Sequence, residues 1–560
     1  MNETYTIGVD YGTLSGRAVL VRTSDGHEMA SAVHVYSHAV MSQCVPGRNR
    51  VLPPEWALQH PQDYLDVLEF TVPALLDVSG VSPDQVVGIA IDFTACTVLP
   101  TTADGTPLCF LPQFSTEPHA FVKLWKHHAA QPQADRISAL AAQRAEPWLA
   151  RYGGKISSEW AIAKALQLLE EAPQVYQAAA RIIEAADWVV WQLCGQETRN
   201  ICTAGYKAMY QDGAYPSFDF FEALNPAFAH VIDEKFSRDL RPLGSCAGQL
   251  TEAAGRLTGL NPGIAVAVGN VDAHVTAPAV GAIGNGQLVA IMGTSTCHVM
   301  NSDILTNVPG MCGVVDGGIV PGSYGYEAGQ SGVGDIFAWF VEHAVPPRYH
   351  ALAAERHLSL HELLTELSQE QDVGAHGLLA LDWFNGNRSI LVDADLSGMI
   401  LGLTLATRPE DIYRALVEAT AFGTRVIIET FEASGVPVHE FIAAGGLIKN
   451  AVLMQLYADV LGKPISVADS AEAPALGSAM HAAVAAGVYP DIQAAAQRMS
   501  KVRHHAFLPD PHRHRLYTRL YHEYRTVHDL FGRAQPTMKV LKRMRDEAHL
   551  RAHQHAEVVA

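Results

Sequence analysis

Three short glycine-containing segments have the residue types that bind phosphate groups. The first, residues 10–17, reads DYGTLSGR directly after a short apolar run. Glycine lets backbone N–H groups approach a phosphate, and the hydroxyl groups of Thr13 and Ser15 add donors. A carboxylate such as Asp10 can hold the water around Mg²⁺. The segment therefore predicts a phosphate loop, and a plain β-hairpin turn is the alternative for the same residues.

The second and third segments lie in the other half of the chain. Residues 293–296 read GTST and present similar donors. Residues 443–450 read AAGGLIKN, where a predicted strand breaks at two glycines and enters a helix. Backbone at such a turn can lie flat against a base or ribose, and the helix N-terminus attracts phosphate oxygens. A helix-capping turn is the alternative here, but three such segments in this order indicate a nucleotide site more strongly than any one of them.

Strands and helices must position these turns. Residues 4–10, 17–22 and 28–37 are predicted strands, residues 61–76 a helix and residues 86–91 a strand. Hairpins followed by a helix and a strand indicate an α/β fold with a mixed sheet.

The strand–turn–strand pattern recurs around the second segment. Apolar runs at residues 288–292 and 297–300 flank it, which we interpret as an internal duplication with its junction in the glycine-rich residues 281–287. Further along, the pattern predicts helices at 411–434, 450–461, 475–486 and 513–531, and strands at 440–443 and 465–467.

Length and composition exclude several classes of protein. A chain of 560 residues and 60.4 kDa is too long for one hydrophobic core, so we expect two domains. A net charge of −19 disfavours nucleic acid and anionic membranes as partners. No apolar stretch is long enough to cross a bilayer, and the first residues contain no secretory signal, so we expect a cytoplasmic location.

Cysteine and histidine spacing gives little sign of a metal site. None of the 8 cysteines is paired as C-x-x-C, so neither a zinc cluster nor a disulfide framework is predicted. Residues 501–560 contain 12 lysine and arginine residues against 6 acidic ones, together with 9 of the 26 histidines. A solvated, partly helical face explains this tail better than a metal site does. We assign no metal to the tail and expect Mg²⁺ only together with a nucleotide.

In type and order, the three segments resemble the two phosphate loops and the adenosine loop of the actin-like ATPase superfamily, which includes sugar kinases. Residues 119–127 (HAFVKLWKH) and 398–403 (GMILGL), followed by Asp411 and Glu418, resemble the two signatures of the FGGY carbohydrate kinases. Leu416 departs from the second signature, which usually has a smaller or β-branched residue there. The resemblance extends from about residue 5 to about residue 505. It implies α/β architecture with two actin-like (ribonuclease H-like) domains, whose mixed sheets flank an active-site cleft, and ATP with Mg²⁺ as cofactors.

Three further segments resemble the branch of this family that phosphorylates L-ribulose. They are residues 92–97 (DFTACT), 269–274 (GNVDAH) and 324–330 (YGYEAGQ). The resemblance implies ATP-dependent conversion of L-ribulose to L-ribulose 5-phosphate in L-arabinose catabolism. D-ribulose and L-xylulose stay open as substrates, because they differ only in hydroxyl stereochemistry. An actin- or chaperone-like ATPase would need a dedicated partner surface, and a sugar-sensing repressor would need a DNA-binding segment ahead of Asp10, where we expect no room.

The resemblance also assigns a role to Asp272, which follows the apolar run at residues 264–268. A carboxylate at the end of a strand can take the proton of a sugar hydroxyl as its oxygen attacks the γ-phosphorus. The alternative is a helix N-cap.

Five residues are implied to contact the sugar. Lys207 can only donate and Glu327 can only accept hydrogen bonds, so together they can orient a polyol. A solvated lysine and a capping glutamate are the alternatives. Trp125 is expected either beside the sugar or in the core, and the backbone at Ala95 and Cys96 is a further candidate.

The three loops imply a set of nucleotide-binding residues, with Asp10 also holding Mg²⁺ through water. The set is Asp10, Gly12, Thr13, Ser15, Arg17, Gly293, Thr294, Ser295, Gly445, Gly446, Lys449 and Asn450. The expected domains are residues 1–281 with the sugar site and first phosphate loop, residues 282–505 with the other two loops, and a basic tail at 506–560. The expected partners are a sugar and ATP, with neither nucleic acid nor membrane; whether the chain forms a homodimer is left open.

Overall fold

The computed structural model describes residues 3–47 and 51–559. Residues 1–2, 48–50 and 560, which fall in the predicted N-terminal domain and tail, lie outside the described residues. The described part contains two seven-stranded sheets, one from strands between Tyr5 and Val271 and the other from strands between Gln287 and Phe507. The mixed-sheet α/β prediction is confirmed.

The strands are β1 (Tyr5–Tyr11), β2 (Ser15–Arg22), β3 (Glu28–Val35), β4 (Leu58–Gln59), β5 (Val86–Phe93), β6 (Val98–Thr101), β7 (Val122–Lys123), β8 (Arg181–Glu184), β9 (Arg199–Asn200), β10 (Leu240–Arg241), β11 (Cys246–Gln249), β12 (Ala265–Ala267), β13 (Asn270–Val271), β14 (Gln287–Met292), β15 (Thr296–Ser302), β16 (Gly313–Asp316), β17 (Tyr324–Gln330), β18 (Leu379–Leu381), β19 (Met399–Leu401), β20 (Glu440–Ala444), β21 (Ile465–Ala468) and β22 (Val502–Phe507).

The helices are α1 (Pro61–Ser79), α2 (Gln131–Gln143), α3 (Ala161–Glu171), α4 (Pro173–Ala178), α5 (Ala185–Cys194), α6 (Ile201–Lys207), α7 (Phe218–Leu224), α8 (Val231–Lys235), α9 (Glu252–Thr258), α10 (Asp272–Ala279), α11 (Gly334–His343), α12 (Pro347–Glu355), α13 (Leu360–Gln369), α14 (Pro409–Ala433), α15 (Ala451–Leu461), α16 (Ala473–Ala485), α17 (Ile492–Met499), α18 (Pro511–Asp529) and α19 (Thr537–Val559). Among the described residues, none of these helices combines the length and apolarity that crossing a membrane requires. Each predicted element is present, with ends shifted by a few residues at most.

Both large sheets are built around the same motif. In the first, β1 pairs antiparallel with β2 and parallel with β5, within the order β11-β12-β5-β1-β2-β3 and with β13 also beside β5. In the second, β14 pairs antiparallel with β15 and parallel with β20, within the order β16-β17-β15-β14-β20-β21-β22. This repeated hairpin with a parallel neighbour is the topology expected of an internal duplication. Because the carboxyl ends of parallel strands meet at one edge of a sheet, the turns after these strands lie together.

Two helices rich in small residues join the two sheets. Helix α16 belongs to the second half of the chain but packs on β1 and β5, while α10 packs on α16 and on β14 and β15. A Cβ atom on Gly8 would lie 1.8 Å from the carbonyl oxygen of Ala475, and one on Gly477 would lie 1.9 Å from that of Val275. Only glycine permits so close an approach, and the two halves are therefore held backbone to backbone.

The helix predicted at residues 513–531 is α18, and it is part of the second core. It packs on α14 and α15. Its residues Tyr517, Tyr521 and Tyr524 are buried in the same apolar cluster as Phe422. The first part of the basic tail is therefore fixed to the molecule by aromatic side chains.

Candidate active site

A pair of aspartates lies at the carboxyl edge of the first sheet. Asp10 on β1 is the register neighbour of Asp92 on β5, which in turn is the neighbour of Asn270 on β13. The hydroxyl of Ser478, on α16, donates to Asp92 Oδ2 at 2.6 Å. Burial, and then the charge of Asp10, raise the pKa of Asp92 well above its ordinary value. Burial raises the pKa of Asp10 as well, and two adjacent carboxyl groups in a buried site can share one proton.

Sequence reasoning missed Asp92 as a site residue. The available signal was its place at the end of an apolar strand, in the same position that Asp10 has on β1. Only the parallel pairing of β1 with β5 shows that the two carboxyl groups are neighbours.

Asp272 is the first residue of α10 and follows β13 directly. The N-cap position belongs to Val271, and the carboxylate of Asp272 accepts a hydrogen bond from the backbone N–H of Ala273 at 2.7 Å. Burial, followed by the negative charge of Asp10, raises the pKa of Asp272 to about 7. A half-buried carboxyl group with a pKa near neutrality can act as a general base, because a substantial fraction is ionised at neutral pH and that form binds a proton well.

Glu327 on β17 is surrounded by cationic groups. Lys207 Nζ, at the end of α6, lies 2.8 and 2.9 Å from its two oxygens, and Arg388 Nη2 lies 2.7 Å from Oε1. Burial opposes ionisation, but Lys207, His274 and Arg388 outweigh it and hold the pKa of Glu327 well below its ordinary value. Since the environments of Asp272 and Glu327 push their pKa values apart, Asp272 can accept a proton and Glu327 cannot.

His274 extends this network on its far side. Its Nε2 lies 3.2 Å from Glu327 Oε2, and its Nδ1 lies 2.8 Å from Cys202 Sγ. Burial lowers the pKa of His274, so the ring is neutral at neutral pH. In a neutral ring one nitrogen donates and the other accepts, which leaves Nε2–H to face the carboxylate and Nδ1 to accept from the thiol.

Sequence reasoning missed both His274 and Arg388. The signal for His274 was its place two residues after Asp272 in the segment GNVDAH. Arg388 has no local signal, because it reaches Glu327 from an irregular segment 61 residues further along the chain.

Lys164 on α3 holds the candidate sugar loop. It is 1% exposed, and its ammonium group donates to the carbonyl oxygens of Cys96 at 2.6 Å and Leu124 at 2.8 Å. Cys96 has a φ of 62°, a left-handed conformation that is unusual for a residue with a side chain. Ala95, beside it, packs against an apolar cluster that includes Cys202 and Tyr206 of α6, the helix that ends at Lys207. Lys164 therefore joins the loop at Ala95 and Cys96 to the strand region that contains Trp125.

Trp125 contacts the first phosphate loop. Its indole Nε1–H donates to Thr13 Oγ1 at 3.1 Å, and its ring packs at the edge of the apolar cluster of the first half. Trp125 is half-buried and directly follows Leu124, which accepts from Lys164. It therefore connects Thr13 of the first phosphate loop with the loop at Ala95 and Cys96.

The turn of the first phosphate loop is tight. Gly12 N–H donates to the carbonyl oxygen of Ser15 at 3.0 Å. Arg17, on β2, forms an ion pair with Glu472, which immediately precedes α16 of the second half. Leu14 at the tip is exposed, and Thr13 and Ser15 are half-buried.

The second and third loops touch each other. Gly293 N–H donates to Ser295 O at 2.9 Å, and Thr294 O accepts from the backbone N–H of Val333 at 2.8 Å. Gly445 has a φ of 90°, and a Cβ there would lie 2.6 Å from Met292 O, next to the second loop. Glycine is required at Gly445 on both grounds.

The remaining residues of the third loop differ in what they offer a ligand. Gly446 and Lys449 are exposed within a short 3₁₀ turn. The Asn450 side chain instead caps α15, accepting from Leu453 N–H at 3.0 Å, and donates to Thr365. Its amide is used inside the protein, as the capping alternative expects.

These loops, carboxylates and cationic groups have the features of a phosphotransferase site, and comparison with known proteins identifies the family. The model of the N-terminal domain of the FGGY family of carbohydrate kinases matches residues 5–279, and that of the C-terminal domain matches residues 288–486. The chain belongs to the FGGY family of carbohydrate kinases. The exact division into residues 1–281, 282–505 and 506–560 stays a prediction.

Some relatives within this family are more than half identical to this chain over nearly its full length. The chain is 58% identical to the ribulokinase of Mycolicibacterium smegmatis over 548 residues, which cover 98% of this chain and 97% of that one. It is 53% identical to the ribulokinase of Bacillus licheniformis over 539 residues, covering 95% and 98% of the two chains. The crystal structure of xylulose kinase from Rhodospirillum rubrum superposes with a TM-score of 0.78 at 23% identity, covering 95% of this chain and 99% of that one, and shows the same fold.

Proposed function

We propose that this kinase transfers the γ-phosphoryl group of ATP to L-ribulose, giving L-ribulose 5-phosphate, the step that L-arabinose catabolism requires. The observation that supports it best is the pair of carboxyl groups with opposite environments, Asp272 with a raised pKa and Glu327 with a lowered one. Such a pair separates a proton acceptor from a fixed anion that orders the cationic donors around the sugar. The substrate itself is inferred from the relatives named ribulokinase.

In the proposed reaction, a terminal hydroxyl of the sugar gives its proton to the carboxylate of Asp272. The hydroxyl oxygen forms the new bond to the γ-phosphorus while the bond to the bridging oxygen breaks, and ADP leaves with that electron pair. Lys207, held by Glu327, and the backbone at Ala95 and Cys96 would orient the sugar. The hairpin turn at Gly12, Thr13 and Ser15, and the turns at 293–295 and 445–449, would hold the nucleotide.

The donor set suits a hydrated Mg²⁺ ion. Asp10 offers a half-buried carboxyl group beside Asp92, and carboxylates with water are the ligands that Mg²⁺ prefers. When bound with ATP, the ion would supply charge neutralisation on the phosphates. We also propose a cytoplasmic location, which the eight unpaired cysteines suit.

Initial rates with ATP and each of the four 2-ketopentoses test this function. We expect L-ribulose to give the highest kcat/KM, because a misplaced hydroxyl leaves a buried polar group such as Lys207 without its partner. A preference for D-ribulose or L-xylulose would show that the proposed substrate is wrong but that the protein is a sugar kinase. ATP turnover that no sugar accelerates would overturn the proposal in favour of an actin- or chaperone-like ATPase.

A further inference from the structure

The C-terminal tail, taken here as α18 and α19 with the residues between them, packs against residues 382–395, which we call the Arg388 segment. This tail lies beyond the residues that the family models match. The hydroxyl of Tyr524 donates to Asp382 Oδ1 at 2.9 Å, and both side chains are buried. The rings of Trp383 and His528 meet edge to face at 5.2 Å. The beginning of the Arg388 segment is therefore fixed by α18.

The end of the Arg388 segment is held by α19. Lys542 Nζ donates to Ala394 O at 3.0 Å and to Asp395 Oδ1 at 2.8 Å. Lys539 forms an ion pair with Asp393. Lys539 and Lys542 of the tail thus have acidic partners within the Arg388 segment.

Between these two anchors, the Arg388 segment lies along β17. Ser389 Oγ accepts from the backbone N–H of Gly329 at 3.2 Å, and a Cβ on Gly329 would lie 2.9 Å from Arg388 Cδ. Arg388 Nη2 is then 2.7 Å from Glu327 Oε1. Asp382 also accepts from the side chain of Gln330, the last residue of β17, at 2.9 Å. The tail and the strand that contains Glu327 are therefore connected through the Arg388 segment.

We propose that Arg388 is a positioning residue of the sugar site, and that the tail holds it in place through Tyr524, Lys539 and Lys542. Arg388 and Lys207 both donate to Oε1 of Glu327. Arg388 therefore limits the movement of this carboxylate when the ammonium group of Lys207 moves. The direction of Lys207 toward the sugar then depends on Arg388. This inference rests on the proposed sugar-binding role of Lys207.

The ion pairs of Lys539 and Lys542 should matter more for the position of the Arg388 segment than for the stability of the whole protein. Lys539 and Lys542 are 38% and 33% exposed, and pairs of this kind contribute little to global stability. Their removal should therefore leave the fold intact while loosening the end of the Arg388 segment. Lys155, from the first half of the chain, holds the same segment by donating to Val392 O at 2.9 Å, so the segment stays near its place when the tail contacts are lost.

The test uses the full chain and compares the KM for L-ribulose with the KM for ATP. For Arg388→Met we expect the sugar KM to rise about tenfold and the ATP KM to change less than about twofold. Arg388→Lys keeps the charge but has a shorter reach, so it should fall between wild type and Arg388→Met. For the double variant Lys539→Ala/Lys542→Ala we expect a rise of about threefold in the sugar KM. The matched control is Arg543→Ala/Arg545→Ala, which removes the same charge from exposed positions of the same helix and should behave as wild type.

Reversal of one ion pair separates positioning from general damage. Lys542→Asp should raise the sugar KM, and adding Asp395→Lys should restore much of it. A double variant Lys539→Ala/Lys542→Ala that matches its control, or Arg388 variants with unchanged sugar KM, would overturn the inference. Equal rises in both KM values would do the same, because they would indicate an effect that is not specific to the sugar site. A wild-type protein without sugar-dependent turnover would refute the proposed function instead.

Discussion

The ammonium group of Lys207 and the carboxylate of Glu327 are separated by 120 residues in the chain and by 2.8 Å in the fold. Only 3% and 2% of the two side chains are exposed. Lys207 ends a helix of the first half and Glu327 lies on β17 of the second, so this ion pair joins the two halves at the candidate sugar site. Its loss should affect both folding and sugar binding.

Glu327→Gln should therefore destabilise the protein strongly. The change leaves the buried Lys207 and the half-buried Arg388 without an anion, and removing one partner of a buried ion pair costs about 3–5 kcal/mol of unfolding free energy. Urea denaturation measures it. Glu429→Gln is the control, since Glu429 is 43% exposed in its pair with Arg425 and its loss should cost at most about 1 kcal/mol. Equal losses in the two variants would contradict the buried-pair argument.

Asp272→Asn should separate chemistry from binding. Asparagine keeps the size and can still contact the hydroxyl, but it cannot accept its proton, so we expect kcat to fall by about two to four decades. Lys207→Ala should instead raise the sugar KM more than it lowers kcat. Calorimetric ATP binding should persist in both variants. Near-native kcat with asparagine at this position would exclude Asp272 as the base.

The pH dependence of kcat/KM for the sugar should report Asp272 in the free enzyme. Its pKa is raised to about 7, so below that pH the proton occupies the base and the rate should fall about tenfold per pH unit. Above pH 7 the carboxylate is ionised and the rate should level off. Steady-state rates from pH 5.5 to 8.5, roughly the range around that pKa, would show this limb. If the fall in rate at low pH persisted in Asp272→Asn, the titrating group would be a residue other than Asp272.

Lys164→Met should loosen the sugar loop. Methionine fills similar space but leaves the carbonyl oxygens of Cys96 and Leu124 without a donor, which costs about 1–3 kcal/mol for each unpaired group. We expect a higher sugar KM and a lower midpoint of unfolding, with partial recovery in Lys164→Arg. If Lys164→Met were destabilised but kept its sugar kinetics, Lys164 would have a role in stability and none in sugar binding.

Trp125→Phe should weaken ATP binding. Phenylalanine keeps an aromatic ring but removes the hydrogen bond to Thr13, which is worth about 1 kcal/mol, or roughly a fivefold rise in the KM for ATP. Trp148→Phe is the matched control, because the Trp148 indole donates to Glu146 at 3.1 Å, away from the nucleotide loops. An ATP KM that responds equally to both substitutions would show that the Thr13 contact has no role in binding.

The sequence by itself determined the local elements and the loops between them. Alternating apolar runs, glycine pairs and helical spacing are set by neighbouring residues, so the β1–β2 and β14–β15 hairpins could be predicted from short windows. Motif order then indicated the family and pointed to Asp272, which follows an apolar strand. Gly445 could be predicted as a turn residue for the same local reason, and its φ of 90° agrees with that.

Only the tertiary structure decided which distant groups meet. Asp92 reaches Asp10 through a parallel pairing across more than eighty residues, and Arg388 reaches Glu327 from an irregular segment with no periodicity of its own. The pKa shifts follow from these long-range contacts, because burial and neighbouring charges cause them. Neither burial nor the neighbouring charges can be read from a short window of sequence. The tail shows the same limit: its charge excess was visible in the sequence, but its partners Asp393 and Asp395 were set by long-range packing.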